Sequence, residues 1–503
     1  MREAWWRDAV VYQIYPRSFA DSDADGVGDL PGITARLDHV ARLGADAVWL
    51  TPFQPSPQAD HGYDVSDYTG VDPLFGDLDA FDALLARAHE LGLRVLIDVV
   101  PNHCSSAHPL FRAALAAGPG SPERARFHFA DGDSPPNNWP SVFGGPAWTR
   151  VPDGQWYLHL YDSSQPDWNW DDPRTAELFD DVLRFWFDRG VDGLRIDVAY
   201  GMVKAPGLPD LPDPDAMEPM RLRANTLASD RPEVHDIHRR WRSIADSYDP
   251  PRVLVGEVNL PPERAVGYTG PGLLHQVFAF GMVTAPWDAR AWAATGTALA
   301  TGTPGGVTWV VENHDVVRTP SRYGSPARAR AAILAILGLP GAAYLYQGQE
   351  LGLPEVDVPP DARQDPAWAR SGFSRDGCRV PMPWTTDPPY GFSLAPPWLP
   401  FPPGWGQYAV ESDPPSLALT RRALELRSSL PFSPDDEVVF SADDDVFTAV
   451  RAGWFALVIA MGDRAVPVPA GQVLLSSDPL TSDGWLPPDT AAWLRLSGAE
   501  PKI

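Results

Sequence analysis

A unit of amphipathic helix, glycine and short apolar strand recurs through the chain, with no clear hairpin between copies. In the first copy Ile33, Leu37, Val40 and Ala41 share a helical face, Gly44 ends the helix, and Ala47 to Leu50 reads as a strand. In the next, Phe81, Leu84, Leu85 and Ala88 lead through Gly92 to a strand from Arg94 to Val100. Leu178, Val182, Phe185 and Trp186 lead through Gly190 to Leu194-Arg195-Ile196-Asp197. Ile237, Trp241, Ile244 and Tyr248 precede Val253-Leu254-Val255-Gly256-Glu257, and an alanine-rich helix after Tyr323 precedes Ala342 to Tyr346. Val10 to Phe19 supplies an opening strand. Helix followed by strand, repeated without hairpins, means parallel strands joined by helical crossovers. This many units favour a closed (β/α)8 TIM barrel over an open sheet, so the fold class is α/β.

The chain has 503 residues, more than a bare barrel needs, and two stretches break the pattern. Residues 104–170 follow the third strand, are too long for a loop and are rich in Pro, Gly and Trp, which reads as a small inserted domain. After about Pro431 the texture changes to short β-rich runs, which predict a C-terminal antiparallel β domain. The expected division is therefore 1–103 and 171–430 for the barrel, 104–170 for the insert and 431–503 for the β domain. Residues 202–231 and 387–405 are Pro-rich and read as loops, the first as an irregular lid.

Formal charge is −26 and the pI near 4.7, which argues against nucleic acid and anionic membrane as partners. No run of about 18 apolar residues is present to span a bilayer, and the N-terminal residues lack an apolar signal core. Two cysteines, Cys104 and Cys378, make no disulfide framework, so a cytoplasmic location is the expectation.

The chemistry lies at the strand ends. Asp98, Asp197, Glu257 and Asp315 all stand where a predicted strand finishes, joined by His103, His314 and Arg195. Barrels of this kind place catalytic residues at those ends. Unpaired buried carboxylates are costly, so several converging acids need a functional reason. The histidines lack paired metal-ligand spacing, which disfavours a zinc or di-metal centre. Paired carboxylates for glycosidic cleavage account for the set: one acid protonates the leaving oxygen while an ionised partner meets the sugar carbon. Arg195 and Asp197 lie two apart on one face of a strand, which suits Asp197 to be the ionised nucleophile. Glu257 ends an apolar run and is placed for a raised pKa as the acid.

A separate motif, Asp21-Ser22-Asp23-Ala24-Asp25-Gly26-Val27-Gly28-Asp29, matches the front of a calcium loop. Asp21, Asp23, Asp25 and Asp29 would give carboxylate oxygens and Val27 its carbonyl. Read alone, the same residues equally make an acidic turn that caps the next helix.

Asp98-Val99-Val100-Pro101-Asn102-His103, Gly193 to Gly201, Val255-Gly256-Glu257-Val258 and Glu312-Asn313-His314-Asp315 resemble the four conserved regions of the α-amylase family of glycoside hydrolases, family 13. Gln165-Pro166-Asp167-Trp168-Asn169-Trp170 and Gly338 to Gly352 add to the likeness, which covers nearly the whole chain and points to the α-glucosidase and oligo-1,6-glucosidase branch. The resemblance implies a retaining α-glucosidase acting on short α-glucosides of maltose, isomaltose or sucrose type from the non-reducing end. Asp197 would be nucleophile, Glu257 acid and base, and Asp315 transition-state stabiliser. Asp60, Tyr63, His103, Phe143, Gln165, Arg195, His314 and Arg379 would bind the sugar, with Arg379 the arginine before the Pro381-Met382-Pro383-Trp384 motif. Similar enzymes bind structural Ca2+ or Mg2+ in the loop from Asp21 to Asp29, and a monomer or homodimer is expected. A transglucosidase or isomerase of trehalose synthase or sucrose isomerase kind uses the same three acids. Transporter-associated relatives that keep the barrel as a scaffold lose those acids and carry a membrane helix; this chain keeps the acids and shows no such helix. Asn259 and the run Val198-Ala199-Tyr200-Gly201 differ from many relatives, which leaves the preferred linkage open.

Overall fold

A computed structural model of the chain describes residues 4–214, 222, 225–302 and 305–497. Part of the predicted lid, residues 215–221, 223 and 224, lies outside the described residues.

The strands β1 (Val10–Ile14), β2 (Ala47–Leu50) and β3 (Arg94–Val99) come first in the chain. The insert then contributes β4 (Phe129–Ala130), β5 (Trp148–Arg150) and β6 (Trp156–Leu158). The main sheet resumes with β7 (Gly193–Ile196), β8 (Val253–Val258), β9 (Gln276–Ala279) and β10 (Ala343–Tyr346). Its seven strands run in the order β10-β1-β2-β3-β7-β8-β9 and pair in parallel throughout. The stretch 307–309 closes the ring. Val307 bridges Val277 on β9 and Trp309 bridges Ala343 on β10, both in parallel sense. The result is the eight-position barrel that the recurring unit predicts.

Local chemistry explains the elements. Helix α1 (Leu30–Leu43) starts where the Asp29 side chain accepts the N–H of Gly32, and ends at Gly44 with φ of 98°. There a residue with a Cβ would be strained. Helix α2 (Leu78–Glu90) is capped in the same way by Asp77, and it buries the predicted face of Phe81, Leu84, Leu85 and Ala88. Strand residues of β1, β2, β7 and β10 are buried on both faces, as parallel strands under helices must be. Gly193 opens β7 because a Cβ there would lie 2.7 Å from the Val253 carbonyl oxygen on β8.

The insert holds a small sheet in the order β4-β6-β5, seated through Trp168, which stacks on Phe127 with centroids 4.6 Å apart. The C-terminal sheet comprises β11 (Val438–Asp443), β12 (Val446–Arg451), β13 (Phe455–Ala460), β14 (Gly471–Ser476) and β15 (Thr490–Leu496), antiparallel in the order β11-β12-β13-β15-β14. It packs on the helix Pro326–Gly338, where Trp493 Nε1 donates to the Leu334 carbonyl at 2.9 Å. In the barrel and the C-terminal sheet, two strands were not anticipated. Gln276–Ala279 is a four-residue run with no amphipathic helix ahead of it in the pattern, and Thr490–Leu496 shows no period-two alternation.

Candidate active site

The acids do converge. Asp98 is on β3, Glu257 on β8, Asp197 follows β7, and Asp315 lies beyond the closing stretch 307–309. Arg195, fully buried on β7, ties three of them together. Its Nη1 lies 3.0 Å from Asp98 Oδ1 and 2.9 Å from Asp197 Oδ1, and its Nη2 lies 2.7 Å from Glu257 Oε2. The guanidinium also sits over the Trp49 ring, 5.0 Å from its centroid. After Asp197 the chain turns sharply at Val198, whose φ is 45°. A β-branched residue there is strained, and the turn aims the Val198 N–H at Glu257 Oε2, 3.1 Å away.

A second cluster adjoins the first. Tyr63 donates to Asp98 Oδ2 at 3.0 Å and stacks flat on His314, with 2° between the rings. Gln13 donates to His314 Nδ1 at 2.6 Å, which leaves the imidazole proton on Nε2. That nitrogen faces Tyr63 Oη at 2.7 Å and Asp315 Oδ2 at 3.3 Å. Gln165 Nε2 reaches both Asp60 Oδ2 at 3.0 Å and His103 Nε2 at 3.2 Å.

Two residues here, Arg375 and Asp365, escaped the sequence reading. Asp60 pairs with Arg375, through Nη2 at 2.9 Å. Arg375 also reaches Asp315 Oδ1 through Nη1 at 3.1 Å and Asp365 Oδ2 through Nε at 2.8 Å, and lies over the Phe143 ring. Arg379 instead grips the other side of Asp315, with Nη2 2.9 Å from Oδ1, while its Nε donates to the His314 carbonyl at 2.8 Å. The two arginines stand four residues apart across the short helix Asp376–Arg379, a spacing that places both on one face. That spacing was the available signal.

These groups gather around a cavity of about 600 Å³. Asp60, Tyr63, His103, Phe143, Asp197, Glu257, Asp315 and Arg375 form its wall, while Arg195, Gln165, His314 and Arg379 are buried beside them.

Electrostatics separates the acids, though not as the sequence suggested. Burial and the facing Glu257 carboxylate push Asp197 well above the usual carboxylate range, against the pull of Arg195. Against its burial, His314, Arg375 and Arg379 hold Asp315 well below that range. Burial raises Asp98 to about 7 and Asp60 to about 6, with Arg195 and Arg375 opposing. Burial keeps His103 neutral, down at about 4, and His314 at about 3.

Away from the cavity, carboxylate oxygens of Asp21, Asp23 and Asp29 lie within 4.8 Å of one another. Hard oxygen donors at this spacing fit Ca2+ or Mg2+. Asp25 stands outside the group, its carboxylate accepting the Val27 N–H at 2.7 Å. Asp29 also caps α1, so the turn reading and the metal reading share residues.

Comparison with known proteins bears on this geometry. A family model described as the alpha-amylase catalytic domain matches residues 13–430. The chain belongs to the alpha-amylase family. It is therefore a glycoside hydrolase by membership. Within the family, a probable alpha-glucosidase of Rhizobium meliloti is 41% identical over 472 residues, which covers 87% of this chain and 85% of that protein. The oligo-1,6-glucosidase of Parageobacillus thermoglucosidasius is 34% identical over 470 residues, covering 83% and 82%. The crystal structure of the trehalulose synthase MutB of Pseudomonas mesoacidophila superposes with a TM-score of 0.89 at 29% identity, covering 98% of this chain and 99% of that one. Among the described residues no helix is long and apolar enough to cross a membrane.

Proposed function

We propose that this alpha-amylase family member is a retaining α-glucosidase that removes one glucose at a time from the non-reducing end of short α-glucosides. The observation that carries this is a set of paired charges at the cavity wall. There Asp60, Arg375 and Asp365 form a buried ion-paired block. Such a block offers charged hydrogen-bond partners to a terminal glucose and no path for a further ring.

The chemistry follows from the two carboxyls bridged by Arg195. One guanidinium holds both carboxyls, with Arg195 Nη1 2.9 Å from Asp197 Oδ1 and Nη2 2.7 Å from Glu257 Oε2, which supports the close pair of a retaining enzyme. The proton that burial and mutual repulsion hold on this pair belongs to both, and substrate binding decides its place. Glu257 gives it to the leaving oxygen as the Asp197 carboxylate attacks the anomeric carbon, forming a glucosyl ester. Water then loses a proton to Glu257 and attacks the same carbon, and the ester bond breaks to restore Asp197. Asp315, held ionised by its arginines, faces the cationic sugar of both transition states. His103, Gln165, Tyr63 and His314 hold hydroxyls and neighbouring acids in place. The same reading puts structural Ca2+ (or Mg2+) on Asp21, Asp23 and Asp29, remote from these steps.

Maltoheptaose digestion tests the reading. Glucose should be the first product, and NMR should show it as the α anomer. Early maltose and maltotriose without glucose would mean internal cutting and overturn it. Transfer or isomerisation is the second reading, favoured by the likeness to a trehalulose synthase. Sucrose and maltose as sole substrates separate the two: glucose release supports hydrolysis, and new disaccharides support transfer.

A further inference from the structure

The turn after β7, residues 197–201, is held from two directions. Within the barrel, the Asp197 N–H donates to the Val99 carbonyl at 2.9 Å and the Ala199 N–H to the Glu257 carbonyl at 3.1 Å. Between them the Val198 N–H reaches Glu257 Oε2. From behind, two carbonyls of the turn are taken by the stretch that follows the lid. The Asp230 N–H donates to the Tyr200 carbonyl at 2.7 Å, and His238 Nε2 to the Ala199 carbonyl at 3.0 Å.

Asp230 is itself fixed. Its φ is 55°, a conformation that aspartate, asparagine and glycine tolerate better than other residues. Its Oδ1 accepts the Tyr268 hydroxyl at 2.7 Å, its Oδ2 pairs with Arg264, and His235 faces it. Buried Tyr268 and the short helix Pro262–Ala265, which carries Arg264, both follow β8, the strand that bears Glu257. The loops after β7 and β8 are thus tied twice. Val198 to Glu257 is the tie at the cavity, and Asp230 to Tyr268 is the tie behind it.

The second tie matters because the first is strained. Val198 is β-branched at positive φ, and such a conformation persists only where its surroundings impose it. Relaxation of the turn would withdraw the Val198 N–H from Glu257 Oε2. A backbone N–H on a carboxylate favours the ionised form, so its withdrawal would leave the pair holding its proton to higher pH.

We propose that Asp230, braced by Tyr268, is a positioning residue that clamps the nucleophile turn from behind and so sets both the aim of Asp197 and the ionisation of the Asp197–Glu257 pair. The inference rests on the α-glucosidase reading above and extends its machinery to two residues that do not touch the sugar. Arg195 on β7, Asp98 on β3, Tyr161 on the insert and Asp197 on the turn also face Glu257. Of these only the turn depends on the clamp.

The test is kcat and KM for maltose across the pH range in which the enzyme stays folded. Asp230→Gly accepts the same φ and loses only the side-chain bonds. Tyr268→Phe removes a single oxygen and carries the test if the glycine variant does not fold. Both should lose kcat about tenfold with KM within about twofold, because the reacting atoms are misaimed while the sugar-gripping residues stay put. In both, the alkaline limb of kcat/KM should move to higher pH. Asp230→Asn, which keeps an oxygen for Tyr268 and tolerates positive φ, should restore kcat and the limb. Folded Asp230→Gly or Tyr268→Phe with wild-type kcat and pH profile would overturn this inference and leave the α-glucosidase reading standing. A wild-type enzyme that cleaves no α-glucoside would overturn both.

Discussion

Arg375 and Asp60, 315 residues apart in the chain, form a buried ion pair in the cavity wall, with Nη2 2.9 Å from Oδ1. The same guanidinium holds Asp315 and Asp365. One side chain thus links the residue proposed to grip the sugar with the acid proposed to stabilise its transition state.

Arg375→Lys keeps the charge and loses the planar fork, so it cannot hold three carboxylates in one geometry. We expect kcat/KM on maltose to fall about 100-fold with the fold intact by circular dichroism. Arg375→Ala should also destabilise, by about 3–5 kcal/mol, since the buried Asp60 and Asp365 lose their arginine. Wild-type kinetics in Arg375→Lys would remove this residue from the sugar site.

Asp197→Ala should end turnover, because no ester can form. Glu257→Gln should slow maltose cleavage about 10²- to 10⁴-fold, yet spare much of the rate on a 4-nitrophenyl α-glucoside, whose leaving group needs no proton. Equal losses on both substrates would argue against Glu257 as the acid.

His238 gives a pH-dependent prediction. Its Nε2 lies 3.0 Å from the carbonyl oxygen of Ala199, on the turn after the nucleophile. Burial, helped by His235, pushes it down to about 3. Below about pH 6.5 the unfolded chain takes a proton that the folded chain refuses, so this contribution to stability is lost as pH falls. Asp60 and Asp98 act in the opposite sense, since folding retains their protons up to about 6 and about 7. His238→Gln keeps a donor and removes the titration. Urea unfolding at pH 7 and pH 5 should show a loss on acidification smaller by about 2 kcal/mol in the variant. Identical losses would show that His238 titrates normally.

Metal removal gives a fourth. If Ca2+ bridges Asp21, Asp23 and Asp29, saturation at 100 times its dissociation constant adds about 2.7 kcal/mol. Chelation should lower the melting temperature, and Asp23→Ala should abolish that response. Because Asp29 caps α1, Asp29→Ala should destabilise even in chelator. No metal by elemental analysis, with melting unchanged in chelator, would refute the site.

Much of this was legible in the chain. Strands ending in Asp98, Asp197 and Glu257 stood out because an apolar run closing on an acid is unusual in a buried sheet. Gly44 and Gly92 marked helix ends for the simple reason that few residues adopt positive φ. Asp60 and Arg375 were harder, since nothing local records a contact across 315 residues. The motif that drew the eye to Arg379 hid its neighbour one helical turn earlier.

The closure of the barrel has a consequence for synthesis. Val10 on β1 pairs with Ala343 on β10, while the other edge of β1 pairs with β2, which follows soon after it. On the ribosome, β1 therefore waits with one edge bare until nearly the whole barrel has emerged. Such an edge is a template for strands of other chains. Expression at high level should accordingly favour inclusion bodies, slower translation or lower temperature should relieve them, and fragments ending before Tyr346 should be recovered as aggregates.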